Sequence, residues 1–320
     1  MGRIASFALA AALSVTGLFA SPALAASAHT WSVQAGSIAF GSAGPVGGGN
    51  RFYPAAVSIH QGDSIAFNVF GAHLLAVNRP AGPIFTLFGP PSFSATLTSP
   101  TQAVNSSIIG TGPVPDTFTL TFASTLPAGH YTVICGLHVG MTETVDVRPA
   151  GQALPKTDAQ YTSEAQKEIT KDLDAVADAA AKANKKTADA NQPTVWAGAG
   201  DKRVTNLRFF PASITIKVGQ TVRFVKTHDP TEPHTVTFGP ESPDPLIQLL
   251  PSGGNAYDGT GTTNSGLLST RRQFAYFQLA GTPLTQVTTF DVKFTKSGTY
   301  PYICELHDEI GMVGQVIVNP

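Results

Sequence analysis

The stretch "YPYICELHDEIGMVGQV", residues 300–316, sets a cysteine, a histidine and a methionine within nine positions, at Cys304, His307 and Met312. A shorter version occurs earlier as "YTVICGLHVGMTETVDV", residues 131–147, with Cys135, His138 and Met141. The spacings are C-x2-H-x4-M in the later copy and C-x2-H-x2-M in the earlier one. In both, the cysteine ends a strand-like run and the other two residues come from the loop that follows. A lone buried cysteine usually serves as a small hydrophobe and a lone methionine as a gap-filler. Here the chain has three methionines, one of them the initiator, and the other two both stand in this motif, which makes the motif a set of donors.

The rest of the chain is duplicated as well. "RFYPAAVSIHQGDSIAF" (residues 51–67) and "RFFPASITIKVGQTVRF" (residues 208–224) are identical at seven of seventeen positions, and most other exchanges are conservative, such as Val57 with Ile214. A unit written twice in one chain implies two domains of one architecture. Within each unit, short period-two or β-branched runs alternate with turn clusters: "SIAFNV", "FTLTF" and "YTVI" in the first, "TVRFV", "TTFDVKF" and "GQVIV" in the second. That pattern predicts an all-β protein, two antiparallel β-sandwiches in tandem. Gly/Ser/Thr/Pro-rich insertions around residues 79–115 and 239–270 read as surface loops.

One stretch between the units has helical character. Ser163 and Gln166 have capping-box spacing, and Ile169, Leu173, Val176 and Ala180 recur every three or four residues, which predicts a linker helix docked by a narrow apolar stripe. At the N-terminus, Arg3, an apolar run from Ile4 to Ala20 and "SPALA" read as a secretory signal peptide cleaved after Ala25. The expected organisation is therefore a signal peptide at 1–25, a first domain at 26–150, a helical linker at 151–192 and a second domain at 193–320. The expected location is periplasmic or extracellular, with no transmembrane segment in the mature chain. Removing residues 1–25 leaves 19 basic against 21 acidic residues, a balance that does not point to nucleic acid.

The only two cysteines, Cys135 and Cys304, could in principle form a disulfide in an exported protein. Each lies beside its own His and Met, however, and the alternative is that a metal holds each thiolate. A further donor must come from elsewhere in each unit. His73 in "GAHLLAV" and His234 in "EPHTVTF" follow the strands ending at Phe67 and Phe224 and are the candidates. Two imidazoles and a thiolate with a weak axial thioether define a blue-copper site; zinc could take the cysteine and two histidines, but methionine is a poor ligand for it.

"PHTVTF" (233–238) and "YICELHDEIGMVGQVIV" (302–318) closely resemble plastocyanin and pseudoazurin, and the shorter His–Met loop of the first unit resembles amicyanin. Both units are thus similar to cupredoxins over nearly all of residues 29–148 and 193–320 apart from the insertions. The resemblance implies two Greek-key β-sandwiches and two type 1 copper sites. Their ligands would be His73, Cys135, His138 and Met141 in one unit, and His234, Cys304, His307 and Met312 in the other. Family members often place a polar residue after the first histidine to brace the Cys loop; Thr235 can do so, whereas the side chain of Leu74 cannot.

Tandem cupredoxin domains also build nitrite reductases and two-domain laccases. Those families need further histidines, one of them beside the type 1 cysteine. Here the neighbours are Ile134 and Gly136, or Ile303 and Glu305, and no His-x-His or His-Cys-His occurs. The four spare histidines are His29, His60, His130 and His228. The reading is an exported electron carrier without enzymatic activity that exchanges electrons with redox partner proteins. The alternative is a periplasmic copper-storage or delivery protein, or else a two-domain copper oxidoreductase. By resemblance, the ring edges of His138 and His307 reach the surface as electron exits. The acidic residues around His307 (Glu305, Asp308, Glu309) point to a cationic partner there, and the apolar loop around His138 to a different one.

Overall fold

A computed structural model describes residues 28–185, 192–226 and 228–320. The signal peptide and its cleavage point lie outside the described residues. Among the described residues no helix is long and apolar enough to cross a membrane.

The chain forms two β-sandwiches. In the first, a sheet ordered Phe52–Tyr53, Thr30–Ala35, Ser64–Val69, Asp116–Phe122, Ser94–Leu97 packs on one ordered Ala56–His60, Thr142–Arg148, Gly129–Cys135, His73–Val77, Val104–Ile109. Thr30–Ala35 runs parallel to Ser64–Val69, and Asp116–Phe122 runs antiparallel to it on the other side, so strands distant in sequence become neighbours. The second sandwich repeats this plan with Thr194–Gly200, Thr221–Val225 and Thr289–Phe294 in one sheet, and Ser213–Lys217, Val313–Asn319, Gly298–Ile303 and Thr237–Phe238 in the other. The alternation seen in the sequence sets which residues face inward. Tyr131, Val133 and Cys135 are buried at alternate positions, as are Tyr300, Tyr302 and Cys304, so Cys135 is the last inward-facing side chain of its strand and Cys304 continues the same alternation one residue past the end of its own.

The helix runs from Asp158 to Asn184, about 40 Å at 1.5 Å per residue. Its capping box is formed by Thr157 and Gln160, six residues before the expected Ser163 and Gln166, because the helix begins earlier than its apolar stripe. Val176 in the stripe is buried, while Ile169, Leu173 and Ala180 are half-buried. One end docks on the first sandwich, where the Tyr161 hydroxyl accepts the Ser58 N–H at 2.9 Å. The other docks on the second, where Ala183 packs with Ala199 and Phe210. Between them the buried Asp172 carboxylate accepts from the Tyr53 hydroxyl at 2.9 Å and pairs with Arg51 at 3.4 Å and Arg203 at 3.0 Å. One side chain therefore ties helix, first sandwich and second sandwich together.

The two sandwiches are further joined in two ways. A glycine-rich hairpin, Ala39–Gly41 and Gly44–Gly49, leaves the first unit and pairs antiparallel with Val204–Asn206 of the second. The insertions are not only surface loops: Ile84 and Leu87 of the first and Leu267 of the second enter a shared apolar core together with residues just outside their bounds. Leu74, Ile84 and Leu87 of the first unit share an apolar core with Leu267, Phe277 and Leu284 of the second. The Ile84 N–H donates to the Phe277 carbonyl at 2.9 Å and Arg79 donates to the Tyr276 carbonyl at 2.8 Å. These apolar residues follow no local period because their partners lie in the other unit.

Without Asp172 the buried Tyr53 hydroxyl loses its acceptor, which costs about 1–3 kcal/mol, while the partly exposed Arg51 and Arg203 keep Glu168 and Asp201 as partners. Asp172→Ala should therefore lower the urea midpoint of the metal-free chain by a corresponding amount, and an unchanged midpoint would show that the helix is not a structural tie.

Candidate metal centres

In the first sandwich the cysteine strand pairs with the strand that opens at His73; in the second, His234 lies just ahead of Thr237–Phe238, which pairs with Gly298–Ile303. In the first, Cys135 pairs with Leu75, and His73 opens the same strand. Cys135 Sγ lies 3.5 Å from His73 Nδ1 and 3.3 Å from His138 Nδ1, and the two nitrogens are 2.9 Å apart. In the second, Cys304 Sγ lies 3.8 Å from His234 Nδ1 and 3.4 Å from His307 Nδ1, with 3.2 Å between the nitrogens. Donors held about 2.0–2.3 Å from a central ion in one plane stand about 3.5 Å from each other, so both triangles have the size a metal needs. Among the described residues these two triads are the groups of three or more His, Cys or acidic side chains able to hold a metal ion.

The methionines close both loops in one way despite the two-residue difference in length. The cysteine N–H donates to the methionine carbonyl, at 3.0 Å from Cys135 to Met141 and 3.1 Å from Cys304 to Met312. Both thioether side chains are buried. The extra residues of the second loop form a 3-10 turn at Asp308–Ile310.

Bracing differs between the sites. Thr235 Oγ1 accepts the Glu305 N–H at 2.8 Å, and the Thr235 N–H points at Cys304 Sγ at 3.4 Å. At the equivalent place in the first site the Leu74 carbonyl accepts the Gly136 N–H at 2.7 Å. The side chain of Leu74 indeed contributes no brace, but backbone does, and the freed side chain packs into the inter-sandwich core.

Behind each upstream histidine sits a glycine with positive φ, Gly36 at 75° and Gly198 at 75°. A Cβ on Gly36 would collide with the His73 ring, and one on Gly198 with the His234 ring. The repeated Val-x-Ala-Gly at Val33–Gly36 and Val195–Gly198 was the signal for these positions.

The outer nitrogens have unlike partners. His73 Nε2 is 3.1 Å from the Phe70 carbonyl, whereas His234 Nε2 is 3.0 Å from the Asp229 carboxylate. Asp229 is fully buried and accepts from the Thr205 hydroxyl at 2.5 Å and from Thr231 and Glu232 backbone N–H groups. His138 Nε2 is 2.6 Å from Glu232 Oε1, and His307 Nε2 is 3.8 Å from Glu232 Oε2. Asn50 Nδ2 donates to Glu232 Oε1 at 3.2 Å. A single carboxylate of the second unit thus stands between the two sites. Asp229, Glu232 and the buried Lys226 all belong to a loop that has lengthened in the second unit: ten residues lead from Phe224 to His234, against six from Phe67 to His73.

Burial alone would raise the Glu232 carboxyl, but His138 and His307 outweigh it and bring it down to about 2. The asymmetry pushes the titrating groups of the two sites in opposite directions. Burial opposes charge on His138, yet the Glu232 and Cys135 charges hold its imidazole well above the ordinary range. Burial likewise would raise Cys135, and His138 beside it brings it well below. In the second site the carboxylate is farther away, and burial prevails: Cys304 is pushed up to about 12 and His307 down to about 4.

The expected exposure of both loop histidines is corrected in the first site. His138 is only 3% exposed, because the short helix Arg271–Tyr276 and the residues after it cover that loop and the Tyr276 hydroxyl donates to the Cys135 carbonyl at 2.5 Å. The His307 side chain retains 14% exposure, next to the exposed Leu306. Glu305 is not part of an exposed acidic ring; it is buried and accepts from Asn264 at 2.8 Å.

The profile of the family described as copper-binding proteins of the plastocyanin/azurin family matches residues 195–319. Plastocyanin of Scenedesmus fuscus is 30% identical over 113 residues, 35% of this chain and 88% of that protein. Chloroplastic plastocyanin of Chlamydomonas reinhardtii is 34% identical over 113 residues, and the match spans 35% of this chain and 59% of that protein's length. Among solved structures, oxidised plastocyanin of the fern Dryopteris crassirhizoma aligns with 39% of this chain and 99% of its own at 23% identity and a TM-score of 0.25. A Cu(I) amicyanin variant aligns with 44% of this chain and 90% of its own at 20% identity and a TM-score of 0.25. The chain belongs to the plastocyanin/azurin family of copper-binding proteins.

Replacing Thr235 by Val leaves the buried Glu305 N–H without its acceptor, at a cost of about 1–3 kcal/mol. Thr235→Val should weaken metal uptake by the second triad roughly 10–100-fold and leave the first unchanged. A chelator competition titration checks this, and equal weakening of both sites would contradict it.

Proposed function

We propose that the chain is an exported electron carrier that holds two type 1 coppers. One is bound by His73, Cys135, His138 and Met141, the other by His234, Cys304, His307 and Met312. The observation that carries this reading is the pair of closed donor triangles, each built on an inward-facing cysteine at the C-terminal end of a strand or directly after it, with a buried methionine closing its loop. Copper would supply the one-electron chemistry. Thiolate and thioether suit Cu(I), imidazole suits both oxidation states, and donors fixed between strands limit rearrangement when the charge changes.

Burial argues for a carrier over a storage or delivery protein, since exchange of metal requires access to the donors. The oxidoreductase reading finds little support in the spare histidines. His29 pairs with Asp158 at 2.9 Å, His60 contacts the Gln152 carbonyl at 2.8 Å, His130 lies 3.4 Å from Asp146, and the His228 ring packs edge-on to Trp196. These are four separate places. Export rests on the N-terminal sequence, and two buried, unpaired thiols kept from oxidation by metal are consistent with it.

Metal analysis with visible spectroscopy tests the assignment. The wild type should bind two coppers with an intense thiolate-to-copper band from each, and Cys135→Ser and Cys304→Ser should each retain one. Saturation at one copper in the wild type would refute the two-site reading, and nitrite or oxygen turnover lost on changing a spare histidine would refute the carrier.

A further inference from the structure

The structure does not offer two independent exits for electrons. His138, the loop ligand of the first site, is buried under the second unit, and its outer nitrogen makes a 2.6 Å contact with a carboxylate of that unit. The other oxygen of the same carboxylate faces His307 at 3.8 Å, longer than a hydrogen bond but in direct electrostatic contact. Gly71 occupies the equivalent position in the first unit, so the carboxylate has no counterpart there and comes with the lengthened loop. Asn50 from the first unit helps fix its position.

We propose that His138, Glu232 and His307 form an internal path between the two metal centres. The first site then exchanges electrons with the second, not with an outside partner, and the second is the chain's port. This rests on the copper assignment above. One electron passes per event: the centre that gives it up is oxidised by one unit as the other is reduced by one unit, and the Nε2 protons stay on their rings. Tunnelling favours this route because it consists of two ligand rings and one carboxylate, with one hydrogen bond and one short gap. The opening at the surface lies at His307, beside exposed Leu306. A carboxylate shared by both rings also couples the centres: oxidation of one makes oxidation of the other harder, and the effect is the same in either direction.

The test follows reduction of the copper-loaded chain by a small inorganic donor over a range of donor concentrations. In the wild type the second site should be reduced in proportion to donor, and the first in a phase that reaches a donor-independent rate. In Cys304→Ser, which leaves Glu232 in place, the remaining centre should be reduced at least tenfold more slowly than in the wild type; in Cys135→Ser the remaining centre should keep its rate. Glu232→Gln should slow only the first site. In the metal-free chain, Glu232→Gln should move the imidazole nitrogen resonances of both His138 and His307 and spare those of His73. A first site reduced in Cys304→Ser at its wild-type rate, or a His307 resonance unmoved by Glu232→Gln, overturns the path. A third bound metal equivalent that Glu232→Gln abolishes also overturns it, by making Glu232 a ligand. A count below two coppers in the wild type fails the copper assignment instead, so the two failures are distinguishable.

Discussion

Burying the Glu232 carboxylate between two imidazoles imposes the strongest constraint on how the two sandwiches meet. An ionised group away from water carries a desolvation penalty of several kcal/mol unless charge and hydrogen bonds offset it. Here the offset comes from both sides of the interface: His138 and Asn50 from the first unit, and His307 from the second. Neither sandwich alone supplies a complete set of partners. The apolar contacts of Leu74 and Ile84 with Leu267 and Phe277, the added hairpin strand and the Asp172 ties all hold the units in the position that satisfies this group. Docking and site geometry are thus one problem.

The duplication has diverged most where the two centres face each other. The second unit keeps a side-chain brace at Thr235, a carboxylate behind its buried histidine and a partly open loop histidine. The first unit replaces these with a backbone brace, a carbonyl behind His73 and a covered His138. The close carboxylate contacts fall on different ligands, Asp229 on His234 and Glu232 on His138, with the second oxygen of Glu232 farther off at His307. Outer partners of this kind orient the ring and raise its basicity, so their placement is where two sites with the same donors acquire different properties.

What could be read in the sequence was what depends on local pattern. Period-two burial put Cys135 at the inner end of its strand and Cys304 one residue past the end of its own, and the His and Met spacing marked the loops that close the triangles. The helix was visible through its apolar repeat, although its first turn, capped by Thr157, precedes that repeat. The missed features depend on contacts between distant segments. Glu232 looks like a loop glutamate until the first unit is brought against it. Ile84 stands among Gly and Pro, and Phe277 caps a six-residue helix too short to show a period, so their packing is visible only across the interface. Two local clues were present, the repeated Val-x-Ala-Gly before the buried histidines and the four extra residues ahead of His234.

The proposed function and path place two coppers on either side of one carboxylate within a single chain. Electron paramagnetic resonance of the fully oxidised, copper-loaded protein tests this placement most directly, because two paramagnetic ions separated by two imidazoles and a carboxylate must show dipolar coupling. The wild-type spectrum should be broadened relative to the sum of the Cys135→Ser and Cys304→Ser spectra. A wild-type spectrum equal to that sum, with no dipolar modulation in a pulsed measurement, would contradict it.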